Sequence, residues 1–263
     1  MSILKTIADH KKVEVRLKQS LISSDDLKGF PLYNRETISL VNRLKTSSAG
    51  IIAEFKRRSP SKSVINNKAR VSDVAKGYEK AGASGMSVLT DRTFFGGSLD
   101  DLIMARASCN LPILRKDFII SNYQIHEAKA YGADVILLIA AILSGEEIRT
   151  FTELAQALGL EVLLEVHDTE ELKMTKGINV DLVGVNNRNL KTFEVSLETS
   201  KALRDEIPDT ALPITESGID SITSIKELMT CGYKGFLIGE SFMKTNNPGS
   251  EAANFINTLN DED

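Results

Sequence analysis

The chain has 263 residues of ordinary globular composition, a formal charge of −4 and a pI near 5.6. This acidic balance argues against a nucleic-acid partner, although the basic cluster Lys56-Arg57-Arg58 could hold a small anion. The longest apolar run, Val135 to Leu143, is well short of the roughly 20 residues of a membrane span, and Cys109 and Cys231 are too few for a disulfide framework or a metal site. We therefore expect a cytoplasmic protein without a targeting segment or membrane partner.

Residues 1–48 contain apolar residues at helical spacing. Two sets have this spacing: Ile3, Leu4 and Ile7, then Ile38, Val41 and Leu44. The pattern predicts two helices joined by the polar Ser23–Asp26 region. Their apolar faces could pack on the rest of the chain, or could also form a lid over one end of it.

Eight short runs of apolar and β-branched residues follow. The predicted strands are Gly50–Phe55, Gly85–Leu89, Pro112–Leu114, Asp134–Ile139, Glu161–Val166, Leu182–Val185, Leu212–Thr215 and Gly235–Ile238. The residues at or beside their carboxyl ends are 21 to 35 positions apart, which suits one helix and two turns each time: Glu54, Leu89, Lys116, Leu138, Glu165, Asn186, Glu216 and Gly239. This spacing predicts repeated βα units and hence a parallel sheet.

The segments between the strands carry helix start and stop signals. Ser72, Ser121, Ser144 and Asp168 resemble N-caps, and the last three precede Gln or Glu by three residues, as in a capping box. Glycines end several patterns: Gly82, Gly132, Gly159 and Gly232. A last helix is predicted over Ser250–Leu259.

We predict an α/β fold, a (β/α)8 TIM barrel over residues 49–263 with the helical extension of residues 1–48 packed on it in a single domain. The length is close to the ~250 residues of such a barrel. Strands that are apolar on both faces suit a sheet between a filled interior and a ring of helices. A doubly wound open sheet is the alternative, but eight consecutive units favour closure.

Polar residues stand at the carboxyl ends of the predicted strands. They are Glu54, Lys56, Lys116, Glu165, Asn186, Arg188 and Glu216. Because the loops after the strands of a TIM barrel build one site, we expect these side chains to share a pocket. Cations beside carboxylates in a partly dry cleft have the shifted pKa values that general acid–base catalysis requires. A Ser217–His167 nucleophile and a metal centre are disfavoured, since the histidines are scattered.

The loops after the seventh and eighth strands suit a phosphate group. Glu216–Asp220 and Gly239–Ser241 offer backbone N–H groups and hydroxyls, and these two loops commonly hold phosphate in TIM barrels. Phe95 and Phe118, after strands two and three, could form a flat apolar wall, although ordinary core packing would also explain them.

Six motifs together resemble the indole-3-glycerol phosphate synthase family, in the right order over nearly the whole chain. They are Ile-Ile-Ala-Glu54-Phe-Lys56-Arg-Arg-Ser59-Pro60-Ser61, Phe94-Phe95-Gly96-Gly97-Ser98, Leu-Arg-Lys116-Asp117-Phe118-Ile, Leu-Leu-Glu165-Val-His, Gly-Val-Asn186-Asn-Arg188-Asn-Leu190 and Glu216-Ser217-Gly218-Ile. The resemblance implies a lyase of tryptophan biosynthesis that closes the ring of 1-(2-carboxyphenylamino)-1-deoxyribulose 5-phosphate with loss of carbon dioxide and water. It implies a phosphorylated small-molecule substrate and no cofactor or metal. It leaves open whether the chain is a monomer or associates with other tryptophan-pathway enzymes.

The resemblance also implies roles by position. Lys116 would be the acid for ring closure and Lys56 would bind the substrate carboxylate, while the acid for dehydration stays open between the two lysines. Glu165 and Glu54 would exchange protons. Two further residues would position the substrate hydroxyls and the lysines: Asn186 and Glu216. The phosphate ligands would be Ser59, Arg188, Ser217, Gly218, Gly239 and Glu240. The pocket for the aromatic ring would be formed by Phe95, Phe118, Leu138, Leu190 and Leu237.

Two positions depart from the family pattern. Ser63 stands where relatives commonly have glycine, which could alter the mobility of the first loop. Glu240 stands where some relatives have a small hydroxyl residue. An anionic side chain beside phosphate is unfavourable unless it turns outward and contributes only its N–H group.

Two other functions are compatible with the residues. One is an aldolase or sugar-phosphate isomerase, in which Lys116 or Lys56 forms a Schiff base or a carboxylate acts as enolising base. The other is a barrel that only binds a phosphorylated ligand or a partner enzyme, for which several strand-end lysines and glutamates would have no purpose.

Overall fold

The computed structural model describes residues 3–48, 50–189 and 192–261. Eight parallel strands close into a barrel in chain order. They are β1 (Gly50–Phe55), β2 (Gly85–Leu89), β3 (Ile113–Lys116), β4 (Val135–Ile139), β5 (Glu161–Val166), β6 (Leu182–Asn186), β7 (Leu212–Glu216) and β8 (Gly235–Ile238). Pairing of β1 with β8, from Gly50 opposite Gly235 to Ala53 opposite Ile238, closes the cylinder. The predicted TIM barrel is confirmed, and the open sheet is excluded.

Helices alternate with the strands. They are α4 (Val71–Lys80), α5 (Leu99–Ser108), α6 (Asn122–Ala130), α7 (Gly145–Ala157), α8 (Thr169–Met174), α9 (Glu198–Leu203), α10 (Ile222–Thr230), α11 (Glu240–Met243) and α12 (Pro248–Asp261). The last of these extends beyond the predicted Ser250–Leu259. None of the helices in the described ranges is long and apolar enough to cross a membrane.

The predicted N-caps hold in three of four cases. Ser144 forms a full capping box with Glu147, while the Ser121 and Asp168 side chains accept N–H bonds from the first turns of α6 and α8. Ser72 is not an N-cap, because α4 begins at Val71 and its N-cap is Arg70.

Alternation along the strands divides the apolar residues into two layers. One face packs against the surrounding helices in a large outer cluster. The other face fills the barrel with an inner cluster that includes Ile52, Leu114, Leu163 and Ile214. Strands buried on both faces read as continuous apolar runs, which is why the sequence pattern located them.

The N-terminal extension has three helices rather than the predicted two. They are α1 (Ile3–Leu21), α2 (Ser24–Lys28) and α3 (Leu40–Thr46). The Ser23–Asp26 region is not a simple link, because Ser23 caps α2 and forms a capping box with Asp26. Local side-chain bonds to the backbone therefore turn a polar segment into a short helix.

The extension reaches both ends of the barrel. At the amino ends of the strands, Leu44 lies against Gly50 and Gly235, where a Cβ atom would overlap neighbouring atoms. Glu161, at the start of β5, accepts N–H bonds from Leu40 and Val41 at 2.8 and 3.1 Å. Helix α3 thus covers the end of the barrel where the strands begin.

Candidate active site

A cavity of about 380 Å³ opens at the carboxyl ends of the strands. The six residues predicted for catalysis all line it: Glu54, Lys56, Lys116, Glu165, Asn186 and Glu216. The six predicted phosphate ligands line it as well: Ser59, Arg188, Ser217, Gly218, Gly239 and Glu240. Parallel strands thus bring together residues that are up to 186 positions apart in sequence.

Lys116, the last residue of β3, lies at the centre of the polar half. Its Nζ is 2.6 Å from Glu216 Oε2 and 3.2 Å from Glu165 Oε2. Burial alone would lower the pKa of Lys116, but the charges of Glu216, Glu165 and Glu54 raise it well above its ordinary range. The side chain is therefore a positively charged ammonium group at neutral pH, held between two carboxyls.

The two carboxyls that hold Lys116 are in different environments. Burial would raise the pKa of Glu165, but the charges of Lys116 and His167 and a bond from Asn186 Nδ2 keep it below its ordinary value. Burial and the charge of Glu165 raise the pKa of Glu216 to about 8. Glu216 Oε1 is also buried without a hydrogen-bond partner. Glu216 therefore holds a proton more tightly than Glu165 does, and acid–base chemistry can use this difference.

His167 and Glu171, which extend the polar contacts of Glu165, were not predicted as part of the site. His167 Nε2 lies 3.4 Å from Glu165 Oε1, and its Nδ1 lies 3.1 Å from Glu171 Oε2. The sequence suggested only a turn and a helix cap here, and Asp168 does cap α8. The strand-end pattern Glu165-Val-His167 was the available signal, since residues two apart in a strand share a face.

Glu54 and Lys56 form a second acid–base pair beside the first. Lys56 Nζ donates to Glu54 Oε1 at 2.5 Å. The next residue, Arg57, points out of the cavity, where it binds both oxygens of Asp101 and lies over the Phe55 ring. The basic cluster is thus divided between the site and the outer surface.

The loop after β7 has an uncommon backbone. Ser217 and Gly218 both have left-handed conformations, with φ of 69° and 75°. This conformation is unfavourable for serine, and Asn187 holds it by donating to Ser217 O at 3.1 Å and to Thr215 Oγ1 at 2.9 Å. The resulting turn presents Ser217 and Gly218 to the cavity. Asn187 was not predicted, since it follows Asn186 and belongs to the other face.

The Glu240 side chain is hydrogen-bonded to Lys62, which lies in the loop between β1 and α4. Its Oε1 accepts a hydrogen bond from Lys62 Nζ at 2.8 Å, and this bond lowers the pKa of Glu240. The carboxylate is therefore neutralised by Lys62, which reduces its repulsion of a bound anion. The Glu240 N–H group stays at the first turn of α11, after Gly239.

An apolar half of the cavity contains three of the predicted aromatic-pocket residues. The rings of Phe95 and Phe118 are 5.9 Å apart, and Leu237 lies in the same lining. Leu138 was wrongly predicted, since it is fully buried in the outer cluster. Alternation along β4 places its two neighbours in the lining instead: Leu137 and Ile139. Leu190 lies outside the described residues.

Helix α1 supplies the rest of this apolar half. Ile3, Leu4 and Ile7 line the cavity, so the extension both packs on the barrel and covers its carboxyl end. The helical spacing of these residues was the signal, although sequence alone could not say which end of the barrel they would meet. Phe193 and Val195, which also line the cavity, gave no such signal.

Comparisons with known proteins give a consistent result. The family model described as indole-3-glycerol phosphate synthase matches residues 4–255. A relative of that name from Bacteroides thetaiotaomicron is 46% identical over 257 residues, covering 98% of both chains. Another from Acidovorax sp. (strain JS42) is 44% identical, covering 95% of this chain and 97% of the relative.

Solved structures of more distant proteins share the fold. 3-Hexulose-6-phosphate synthase from Salmonella typhimurium superposes with a TM-score of 0.64 at 12% identity, covering 81% of this chain and 100% of that one. Thiamine phosphate pyrophosphorylase from Pyrococcus furiosus gives a TM-score of 0.61 at 15% identity, covering 85% and 98%. At such identities the likeness concerns the barrel alone.

Proposed function

The chain belongs to the indole-3-glycerol phosphate synthase family, and we propose on this premise that it converts 1-(2-carboxyphenylamino)-1-deoxyribulose 5-phosphate to indole-3-glycerol phosphate. This is a decarboxylating lyase reaction of tryptophan biosynthesis. The reaction needs a pocket for an aromatic ring, an acid beside a ketone and a site for phosphate. The cavity at the carboxyl ends of the strands offers an apolar wall, a buried ammonium group and two phosphate-type loops.

The observation that carries this proposal is the position of Lys116 between Glu165 and Glu216, at 3.2 and 2.6 Å. When the aromatic carbon attacks the ketone, negative charge develops on the ketone oxygen. Lys116 would protonate that oxygen to give a hydroxyl group, and the carboxylate of the ring would leave as carbon dioxide. Glu216, whose pKa is raised to about 8, would return a proton to Lys116.

Dehydration requires a second acid and a base. Lys56 and Glu54 are paired at 2.5 Å at the carboxyl end of β1, two strands from Lys116 on β3, so they can act without displacing Lys116. In the proposed order, Lys56 first binds the substrate carboxylate and then protonates the hydroxyl group that leaves as water. Glu165 or Glu54 removes the proton whose loss restores the aromatic system. Asn186, held between Glu165 and the Arg188 N–H, would orient the substrate hydroxyls.

The phosphate would bind at the opposite side of the cavity from the aromatic wall. Ser217, Gly218 and Gly239 offer hydroxyl and backbone donors, and Ser59 and Arg188 close the site from two other loops. The pairing of Glu240 with Lys62 leaves the Glu240 N–H as its contribution.

The compartment and assembly are part of the proposal. We propose a cytoplasmic monomer: the two free cysteines agree with a reducing compartment, and the formal charge of −4 does not favour a nucleic-acid partner.

The test is turnover of the anthranilate-derived substrate by the wild-type protein, followed by the rise of indole fluorescence and by release of one carbon dioxide per product. In a second experiment, the protein is treated with borohydride and a ketose phosphate, which would reduce and trap any Schiff base on a lysine. Product formation without a trapped lysine adduct is expected. A trapped adduct and no indole product would instead favour the Schiff-base aldolase.

A further inference from the structure

Lys11 is a buried lysine that the proposed reaction does not use. It lies on α1, one turn after Ile7, and only 1% of its side chain is exposed. Three carboxylates surround its Nζ: Asp91 at 2.8 Å, Glu14 at 2.9 Å and Asp117 at 3.0 Å. Burial alone would lower the pKa of Lys11, but these carboxylates raise it, so the residue stays charged.

Two of these carboxylates also hold the backbone of the aromatic wall. Asp91 Oδ1 accepts N–H bonds from Phe94 at 2.7 Å and Phe95 at 3.3 Å. Asp117 Oδ1 accepts an N–H bond from Phe118 at 2.8 Å. One ammonium group therefore joins the helix that covers the apolar half of the cavity to the two segments that carry its facing rings.

We propose that Lys11 is a positioning residue for the aromatic half of the substrate. It fixes α1, the Phe95 loop and the Phe118 segment relative to one another, so that the apolar walls are spaced for a planar ring before substrate arrives. This role rests on the proposed function, since it assumes an aromatic ring between these walls.

The geometry of the cluster supports a positioning role rather than a purely stabilising one. Burying an ammonium group among carboxylates is seldom better for stability than packing an apolar side chain of similar size. Such a cluster does require each partner to lie within hydrogen-bond distance of one atom. Its effect should be local, because Asp117 follows β3, and β3 lies four strands from the phosphate loop after β7 in this eight-stranded barrel.

The test compares Lys11→Met with Lys12→Met, which makes the same change at the next residue. The Lys12 side chain is 58% exposed, and its Nζ lies 3.4 Å from Asp9 Oδ1 on the same helix. Lys11→Met should raise KM for the anthranilate-derived substrate about tenfold or more, because displaced walls bind the ring less well. The inhibition constant of inorganic phosphate should stay within about twofold of that of the control.

Two results would overturn the role: a folded Lys11→Met protein with the KM of the control, or an equal rise in KM and in the phosphate inhibition constant. Unpaired carboxylates could unfold Lys11→Met. The double variant Lys11→Met/Asp91→Asn then removes one of them, and the amide oxygen can still accept from Phe94 and Phe95. If neither variant folds, Lys11 is required for the fold itself and the proposal is wrong.

Wild-type turnover of the same substrate separates this proposal from the one on which it rests. An inactive wild type would refute the proposed function. An active wild type with indistinguishable Lys11 and Lys12 variants would refute only the role of Lys11.

Discussion

At the scale of single residues, the protonation state of the site depends on Glu216. This carboxyl shares Lys116 with Glu165, yet one of its oxygens has no hydrogen-bond partner. Burial and the charge of Glu165 make Glu216 hold its proton more tightly than Glu165 does, although Lys116 acts in the opposite direction. The proposed mechanism uses this difference, because a protonated Glu216 can resupply Lys116.

The raised pKa of Glu216 predicts a pH-dependent stability. The folded state binds this proton more tightly than the unfolded chain, so the stabilisation is present below the ordinary pKa of 4.5 and is lost as pH rises through about 8. The melting temperature of the wild type should therefore fall relative to that of Glu216→Gln as pH rises from about 5 to 8. Melting temperatures by circular dichroism at several pH values measure this, with exposed Glu170→Gln as control. Parallel curves for wild type and Glu216→Gln would contradict it.

Ser217 provides a second test at this scale. Ser217 lines the cavity, and in the proposed binding mode the phosphate is remote from the reacting carbons, so a phosphate contact should contribute equally to substrate and transition state binding. Ser217→Ala should raise KM about fivefold, as expected for the loss of one hydrogen bond worth about 1 kcal/mol, and leave kcat nearly unchanged. Inorganic phosphate should become a weaker competitive inhibitor by a similar factor. Unchanged phosphate inhibition would mean that the phosphate site lies elsewhere.

At the scale of elements, the extension has two parts with different tasks. Helix α1 places Ile3, Leu4 and Ile7 over the cavity. Helix α3 packs Leu40 and Leu44 into the opposite end of the barrel, where the strands begin. A deletion of the whole extension would therefore lower activity and stability together, because it would remove both the cover of the cavity and part of the hydrophobic core.

Two truncations separate the parts. Removal of residues 1–22 should leave a folded barrel whose activity falls at least about tenfold, because the aromatic half of the cavity is then open to water. Removal of residues 1–45 should lower the melting temperature much further, since two buried leucines would be lost at about 2–5 kcal/mol each. Both proteins are measured by circular dichroism and by the fluorescence assay. Full activity after removal of residues 1–22 would show that α1 only packs.

The sequence predicted strands better than it predicted the side chains that line the cavity. Eight apolar runs located all eight strands, because burial on both faces leaves a clear mark. Because both faces of each strand are apolar, the sequence does not show which residues point into the barrel and which point toward the helices. Leu138 was therefore assigned to the cavity, although its neighbours Leu137 and Ile139 line it. Glu165 and Asn186 were assigned to the cavity because polar residues at the ends of apolar strands stand out in the sequence, and both line it.

At the scale of the whole molecule, the last helix joins the end of the chain to its first βα unit. Helix α12 packs on α4, and Gly77 and Gly249 meet so closely that a Cβ atom on Gly77 would lie 2.8 Å from Gly249 Cα. Local sequence gives no sign of this contact, because it depends on closure of the barrel. The same is true of Lys11, whose carboxylate partners Asp91 and Asp117 follow two separate strands.

Gly77→Ala tests this closing contact. Alanine favours a helix by about 1 kcal/mol over glycine, but overpacking costs about 1–3 kcal/mol, so a net loss of stability is expected. The melting temperature should fall below that of Lys76→Ala, which changes the exposed neighbour on the same helix. A Gly77→Ala protein as stable as the wild type would show that α4 and α12 can separate without cost.

The central claim is that Lys116 is the acid for ring closure, and kcat of Lys116→Met tests it most directly. A positioned general acid contributes about 10²–10⁴-fold, so kcat should fall by that factor or more in a protein that remains folded. Lys173→Met, on the exposed side of α8, serves as the matched control and should keep wild-type kcat. A folded Lys116→Met protein that retains more than about a third of the wild-type kcat would contradict the account, since a general acid typically contributes at least about 10²-fold.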